Sequence, residues 1–172
     1  VDLDEKAVEL ARLNLLLKVL EHEGPETKVS KLPELFQIKC GNSLIDDPKV
    51  SDKAFNWQAQ FKDVFANGGF DVVVGNPPYI RIQTLDKKDV YYFNKEYESP
   101  EKNYDIYFLF LEKGHKLLKE NGKLGYILPH KFFNGENGKN IRLLLSRQKS
   151  IDVAREHTYI ISNFFGRGIA GG

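Results

Sequence analysis

Phe70-Asp71-Val72-Val73-Val74-Gly75-Asn76-Pro77-Pro78-Tyr79-Ile80-Arg81 is the stretch that decides the fold: a short, β-branched apolar run that stops at an amide, two prolines and an aromatic. Bounded by Gly68-Gly69 and Gly75, the run from Phe70 to Val74 reads as a buried central strand rather than a helix. Asn76 precedes proline and is pushed toward extended geometry. Pro77 and Pro78 fix φ at successive positions and remove two N–H donors, so the turn is stiff and its backbone offers carbonyl acceptors. In open α/β sheets ligands bind beyond the carboxyl ends of the strands, where this turn falls. Such a turn can hold an NH2 group on a flat ring. The Asn76 side-chain oxygen and the Pro77 carbonyl take one N–H each, while Tyr79 stacks on the ring. The lone pair of such a nitrogen is delocalised. Two acceptors out of the ring plane favour the pyramidal nitrogen that forms during attack, and so stabilise the transition state more than the ground state.

Asn76-Pro77-Pro78-Tyr79 after an apolar strand resembles motif IV of the S-adenosylmethionine-dependent amino-methyltransferases, above all the DNA adenine-N6 methyltransferases. The plainer reading is a rigid proline turn that only ends a strand. Upstream, Val1-Asp2-Leu3-Asp4 reads as a strand tip followed by a helix from about Glu5 to Leu20, with apolar Val8, Leu10, Ala11, Leu13 and Leu15 to Leu17. Asp4 is the candidate N-cap. Asp2, with Leu3, matches the family position that meets the cofactor, where the acid binds the ribose hydroxyls; as a lone acid before a helix it would only cap. Phe36 to Leu44 alternates like a strand and resembles motif III, which places Asn42 and Ser43 at the cofactor adenine. Many relatives carry Asp where this chain has Asn42.

Tyr104 to Gly114 reads as a helix stopped by Asn121-Gly122, and Leu124 to Leu128 as a strand. The order resembles motifs V to VII, in which a Phe at the Phe110 position lies near the cofactor purine. Core packing is the alternative for Phe108 and Phe110, because aromatic stripes are usually interior. The detailed pattern is similar to the modification modules of type IIG restriction–modification enzymes, in which the tetrapeptide is commonly followed by Ile-Arg, here Ile80-Arg81.

The resemblance implies a Rossmann-like α/β methyltransferase fold with a mostly parallel, doubly wound sheet. It also implies an adenine-specific DNA methyltransferase that uses S-adenosylmethionine on a flipped base, with Asn76, Pro77, Pro78 and Tyr79 catalytic and Asp2, Leu3, Asn42, Ser43, Asn76 and Phe110 on the cofactor. A glycine-rich cofactor loop belongs about 20 residues before the ribose-binding acid. Asp2 is the second residue and no methionine precedes it, so the expectation is one partial catalytic domain over residues 1–172. Its first strand and glycine loop, and the target-recognition part, would lie elsewhere in the same polypeptide, and activity would need them. Release-factor glutamine methyltransferases share the tetrapeptide, because an amide also presents a planar NH2, and a non-catalytic DNA-binding scaffold is a further alternative.

A net charge of +1 argues against a polyanion-binding surface over the whole chain, so phosphate contact would be local. Arg81, beside the turn, is a candidate for a phosphate flanking an extruded base. Lys131 opens a basic stretch with Lys139, Arg142, Arg147, Lys149 and Arg155 that is either a phosphate-facing surface or one side of a solvated helix from Gly138 to Gln148, with Leu143 to Leu145 toward the core. Phe164 or Phe165 is the candidate for the second face of the base. The literal G-x-G-x-x-G at Gly166 to Gly171 has no following helix to present to phosphate and reads as a glycine-rich end. Cys40 is the sole cysteine and fits a reducing, cytoplasmic setting. The histidines show no metal-ligand spacing. No apolar run nears the roughly 20 residues of a membrane span. Ile45 to Gly69 is expected to carry a helix at about Asp52 to Phe65, and Gln83 to Asn103 to be a loop.

Overall fold

The computed structural model describes residues 1–22, 37–129, 138–146, 152–154 and 159–163. The chain divides into two compact units, Val1–Gln60 and Phe61–Gly172, described in turn.

In the first unit, helix α1 spans Glu5–His22. The Asp4 carboxylate accepts the Lys6 amide at 2.9 Å, the N-cap bond expected of it, and the Asp4 carbonyl takes the Val8 amide at 3.1 Å. Val8 is buried, but Leu10, Leu13, Leu15 and Leu17 are about half exposed. Apolar residues at 13, 15, 16 and 17 wrap most of the helix circumference, so a single covered face cannot take them all. The strand expected over Phe36 to Leu44 reduces, within the described residues, to two isolated parallel bridges, Asp2 with Cys40 and Asn42 with Ala54. The chain changes partner between them, and Gly41 permits the crossing: a Cβ there would lie 2.5 Å from the Phe55 ring. Leu44, Ile45 and Phe55 are buried, and Phe55 meets Trp57 edge-on at 5.1 Å. Helix α2 (Trp57–Gln60) closes this unit.

The second unit begins with helix α3 (Lys62–Ala66). The helix expected at Asp52 to Phe65 is therefore two short ones. Strand β1 follows at Phe70–Gly75, where the apolar run places it. It is not the buried strand expected, since Val72 and Val74 are 55% and 75% exposed, whereas Val73 on the opposite face is half-buried. Helix α4 (Lys87–Glu96) occupies the expected loop, holding Tyr92 and Phe93 inward. Helix α5 spans Tyr107–Leu117 and buries Tyr107, Phe108, Leu109, Leu111 and Leu117. Each fully buried leucine is worth about 1.5–3 kcal/mol of transfer free energy. Lys116 in its last turn suits the negative end of the helix dipole.

Strand β2 runs Leu118–Ile127 directly from α5. Asn121-Gly122 therefore does not stop the helix. Asn121 sits at φ 64° inside β2, and the pairing with β1 jumps there from Phe70↔Leu118 to Val72↔Lys123. This is a bulge, in which an asparagine tolerates the left-handed region. Gly69 makes the other half of the fit: at φ +123° it lies so close to the backbone of Leu117 to Lys119 that a Cβ would overlap it. Asp71 pairs with Lys119 across the two strands. Helix α6 (Lys139–Ser146) packs on α5 through Ile141 and Leu145, while Leu143 is half exposed rather than core-facing. Strands β3 (Asp152–Ala154) and β4 (Tyr159–Asn163) complete a four-stranded sheet of order β1-β2-β4-β3. The pair β1/β2 is parallel; β2/β4 and β4/β3 are antiparallel. The architecture is α/β, as expected; among the described strand pairings one is parallel and two are antiparallel, where a mostly parallel sheet was expected.

Glu112 on α5 is fully buried and ties this unit together. Its carboxylate accepts the Glu98 amide at 3.0 Å, the Ser99 amide at 2.7 Å and Lys116 Nζ at 2.6 Å, holding the chain that leaves α4 against α5. Burial alone pushes the carboxyl up, but Lys116 and the two amides outweigh it and leave it below its ordinary value of 4.5. A depressed carboxyl stabilises the fold above its unfolded pKa, and that contribution is lost as pH falls through the folded value. Glu112→Gln is expected to cost about 3 kcal/mol at neutral pH and to flatten the loss of stability below about pH 5, checked by urea unfolding across pH.

Candidate active site

The candidate residues fall in both units. In the first, Asp2 is the residue of the bridge to Cys40, with its amide donating to the Lys39 carbonyl at 3.2 Å and its carbonyl accepting the Gly41 amide at 2.8 Å. Asp2 and Asn42 thus stand at neighbouring chain segments running in parallel. Asp2 Oδ1 accepts the Asp4 amide at 2.8 Å, shaping the turn into α1, and the exposed carboxylate keeps a second oxygen. Asp2 and Asp4 are successive links of one N-terminal turn, so capping and ligand binding are compatible roles for Asp2. Leu3 is half exposed, and its carbonyl accepts Lys53 Nζ at 2.8 Å. Asn42 Oδ1 accepts the Leu44 amide at 3.0 Å, which orients the side-chain amide. The Ser43 carbonyl takes Trp57 Nε1 at 3.0 Å, a brace that no local pattern in the sequence indicated.

In the second unit, Asn76 leaves the end of β1 and is exposed, Pro77 is buried, and Pro78 and Tyr79 are exposed. Tyr79 is 51% exposed. Its Oη lies 2.9 Å from the Ile127 carbonyl oxygen, at the end of β2, and 3.2 Å from Asn76 Oδ1. Tyr107, at the start of α5, meets the Tyr79 ring edge-on, with centroids 6.1 Å apart and planes at 85°. Burial, with Asp105 and Tyr79 adding to it, pushes the Tyr107 hydroxyl up, so this support stays neutral across the physiological range.

The chain beyond the turn is equally held. The Ile82 amide donates to the Tyr104 carbonyl at 3.1 Å and the Ile106 amide to the Ile80 carbonyl at 2.8 Å, around a bridge between Arg81 and Asp105. This short antiparallel pairing clamps residues 80–82 to the segment entering α5. The turn is thereby fixed at both ends, by β1 before it and by α5 after it. Arg81 is exposed at the start of a single 3-10 turn, Ile82–Thr84. Phe110 is half-buried on α5, whereas Phe108 is buried, so packing accounts for Phe108 and leaves part of Phe110 accessible. Ile127 and Tyr107 were not singled out in the sequence: the first acts through its backbone and the second lies 28 residues beyond Tyr79 in the chain. Lys131, Phe164 and Phe165 lie outside the described residues. Among the described residues no group of His, Cys, Asp and Glu side chains could hold a metal ion, and no helix is long and apolar enough to cross a membrane.

The family described as Eco57I restriction-modification methylase matches residues 1–158. The chain is 38% identical over 163 residues to the type II restriction enzyme and methyltransferase RM.Eco57I of Escherichia coli, covering 87% of this chain and 16% of that protein. It is 34% identical over 131 residues to the type II methyltransferase M.BstVI of Geobacillus stearothermophilus, covering 76% and 21%. Against the type II methyltransferase M.HincII of Haemophilus influenzae the identity is 31% over 131 residues, covering 70% and 25%. The chain therefore spans a quarter or less of the length of these relatives.

The first-turn network around Asp2 and Asp4 gives a direct test. Asp4→Ala removes the N-cap bond to Lys6 and should lower stability by about 1 kcal/mol, whereas Asp4→Asn, which keeps an acceptor, should lower it by no more than about half that; thermal unfolding of the two variants checks the difference.

Proposed function

The chain belongs to the Eco57I restriction-modification methylase family, and from that premise we propose that it forms part of a DNA methyltransferase acting on the N6 amino group of adenine. S-adenosylmethionine is the cofactor of this family. The observation that carries the reading is the Asn76 to Tyr79 turn: an exposed amide, a stiff acceptor-rich backbone and a half-exposed aromatic ring, held from both ends.

Asn76 Oδ1 and the Pro77 carbonyl each accept one hydrogen of the target NH2, directing the nitrogen lone pair toward the incoming methyl. A duplex buries N6 in a base pair, so the adenine is turned out of the stack, and the half-exposed Tyr79 receives its ring at a gain of about 1–3 kcal/mol. Arg81, exposed two residues further on, meets the phosphate beside the extruded nucleotide. These residues need no strong base, because the amino proton leaves to water once the new N–C bond has made the nitrogen acidic.

The donor set suits the cofactor. Asp2 has one carboxylate oxygen in its own turn and one left for ribose hydroxyls, and Asn42, anchored through Oδ1, offers amide hydrogens to ring nitrogens. Ser43 beside it completes the contacts proposed within the first unit; Phe110, half-buried on α5, is proposed separately as a packing surface for a purine. The cofactor supplies a methyl group on a sulfonium sulfur. The residues of this chain supply its orientation and the placement of the nucleophile. The target-recognition and remaining cofactor-binding parts would come from the rest of a polypeptide as long as the relatives.

The test is methyl transfer by the full-length protein from labelled cofactor, offered duplex DNA, RNA and a release-factor protein. N6-methyladenine in DNA is expected; label on glutamine or on RNA would replace the substrate and keep the chemistry. Asn76→Ala should lower kcat about 100-fold or more while cofactor affinity stays within about twofold. Asp2→Ala should do the reverse, weakening cofactor binding by about tenfold with kcat largely retained. Arg81→Ala should reduce the slope of log affinity for DNA against log salt by about 1.

A further inference from the structure

We propose that the Tyr79 hydroxyl is a positioning group that selects which end of the Asn76 amide faces the target amine; this rests on the reading of the turn given above. Tyr79 Oη has two oxygen neighbours, the Ile127 carbonyl at 2.9 Å and Asn76 Oδ1 at 3.2 Å. A phenol carries one proton, and a backbone carbonyl can only accept. The shorter contact takes that proton. Two oxygens facing each other at 3.2 Å with no hydrogen between them repel.

A half-turn of the Asn76 amide removes the conflict. The oxygen and nitrogen of an amide have the same shape, and the surrounding hydrogen bonds decide between them. With Nδ2 toward Tyr79 the contact becomes an N–H···O bond, and the hydroxyl both donates to Ile127 and accepts from Asn76. Oδ1 is then turned away from Tyr79 and is wholly available to the target. The opposite orientation would present amide hydrogens to an NH2 group, donor against donor, and lose the transition-state bond. Asn76 is exposed, so water alone would not distinguish the two orientations. The hydroxyl can distinguish them because it is itself anchored: the Ile127 carbonyl fixes its proton, and Tyr107 fixes the plane of its ring. Tyr79 thus has two separable tasks, stacking through the ring and orientation through the oxygen.

Tyr79→Phe separates them, since it keeps the ring. Single-turnover methyl transfer by the full-length protein is expected to slow about fivefold, the worth of one neutral hydrogen bond. Cofactor affinity, and the fluorescence of 2-aminopurine placed at the target base, should stay within about twofold, because neither depends on the amide. The deciding comparison uses an Asn76→Asp background. A carboxylate has two equivalent oxygens and no orientation to choose, so there Tyr79→Phe should cost less than about twofold, or even speed transfer. An equal cost in both backgrounds would mean that the hydroxyl only supports the fold, and no slowing in the native background would mean that it does nothing; either overturns the proposal. Should Asn76→Asp transfer nothing, thermal unfolding of Tyr79→Phe decides: slowed transfer with unchanged stability and unchanged 2-aminopurine fluorescence supports the proposal, and slowed transfer with a matching loss of stability overturns it. Failure of the adenine reading is a separate result, seen as label on another NH2 substrate, and the same comparison is then made on that substrate. A wild-type protein that transfers to none of them overturns both.

Discussion

The parallel pairing of β1 with β2 is the constraint on which the described site depends. Gly75 pairs with Tyr126, so the residue after each, Asn76 and Ile127, emerges at the same end of the sheet. One step of slippage would send alternate side chains to the wrong face and move the Ile127 carbonyl from reach of Tyr79. The register is set at the far end of the pair, by the tight approach of Gly69 to the backbone of Leu117 to Lys119 and by the bulge at Asn121. Backbone features near the start of β1 therefore determine side-chain geometry at its finish.

From that pairing the stiffness of the turn follows. Two prolines restrict the chain locally, but a stiff turn is useful only if its direction is also fixed. The clamp between residues 80–82 and 104–106 provides that, and it delivers Tyr107 edge-on against Tyr79 at the same time. Glu112 extends the same order one turn along α5 by binding the amides that follow α4. Preorganisation of this kind places the ordering cost in folding, so that the acceptors of the turn need not reorganise when a ligand meets them. A methyltransferase acting on a weak nucleophile gains more from fixed dipoles than from a strong base.

The Asn76 to Tyr79 turn was legible in the sequence because its physics is local. Asn before Pro-Pro-Tyr restricts its own backbone, and four apolar neighbours, Phe70 and Val72 to Val74, announce the strand that precedes it. The α1 start was legible for the same reason, since an N-cap bonds within its own first turn. Expectations weakened where a local signal had two uses. Asn121-Gly122 suits a helix end and a strand bulge equally, and only the presence of β1 alongside selects the bulge. Alternation from Phe36 to Leu44 implies a strand, but pairing partners decide how many residues form a ladder, and here the described ladder is reduced to single bridges. The polar character of Gln83 to Asn103 concealed α4, whose inward face needs only Tyr92 and Phe93.

By itself, then, the sequence determined the α/β class, the strand that ends in an acceptor-rich turn, the acid that opens α1 and the family resemblance, because each rests on contacts between near neighbours in the chain. Only the tertiary structure decided what holds the turn. Ile127 contributes a carbonyl, which no side-chain pattern can announce, and Tyr107 reaches Tyr79 through the path of α5. The orientation of the Asn76 amide belongs to the same class. It depends on where one proton lies between strands that are distant in sequence, a property of the assembled hydrogen-bond network rather than of any residue taken alone.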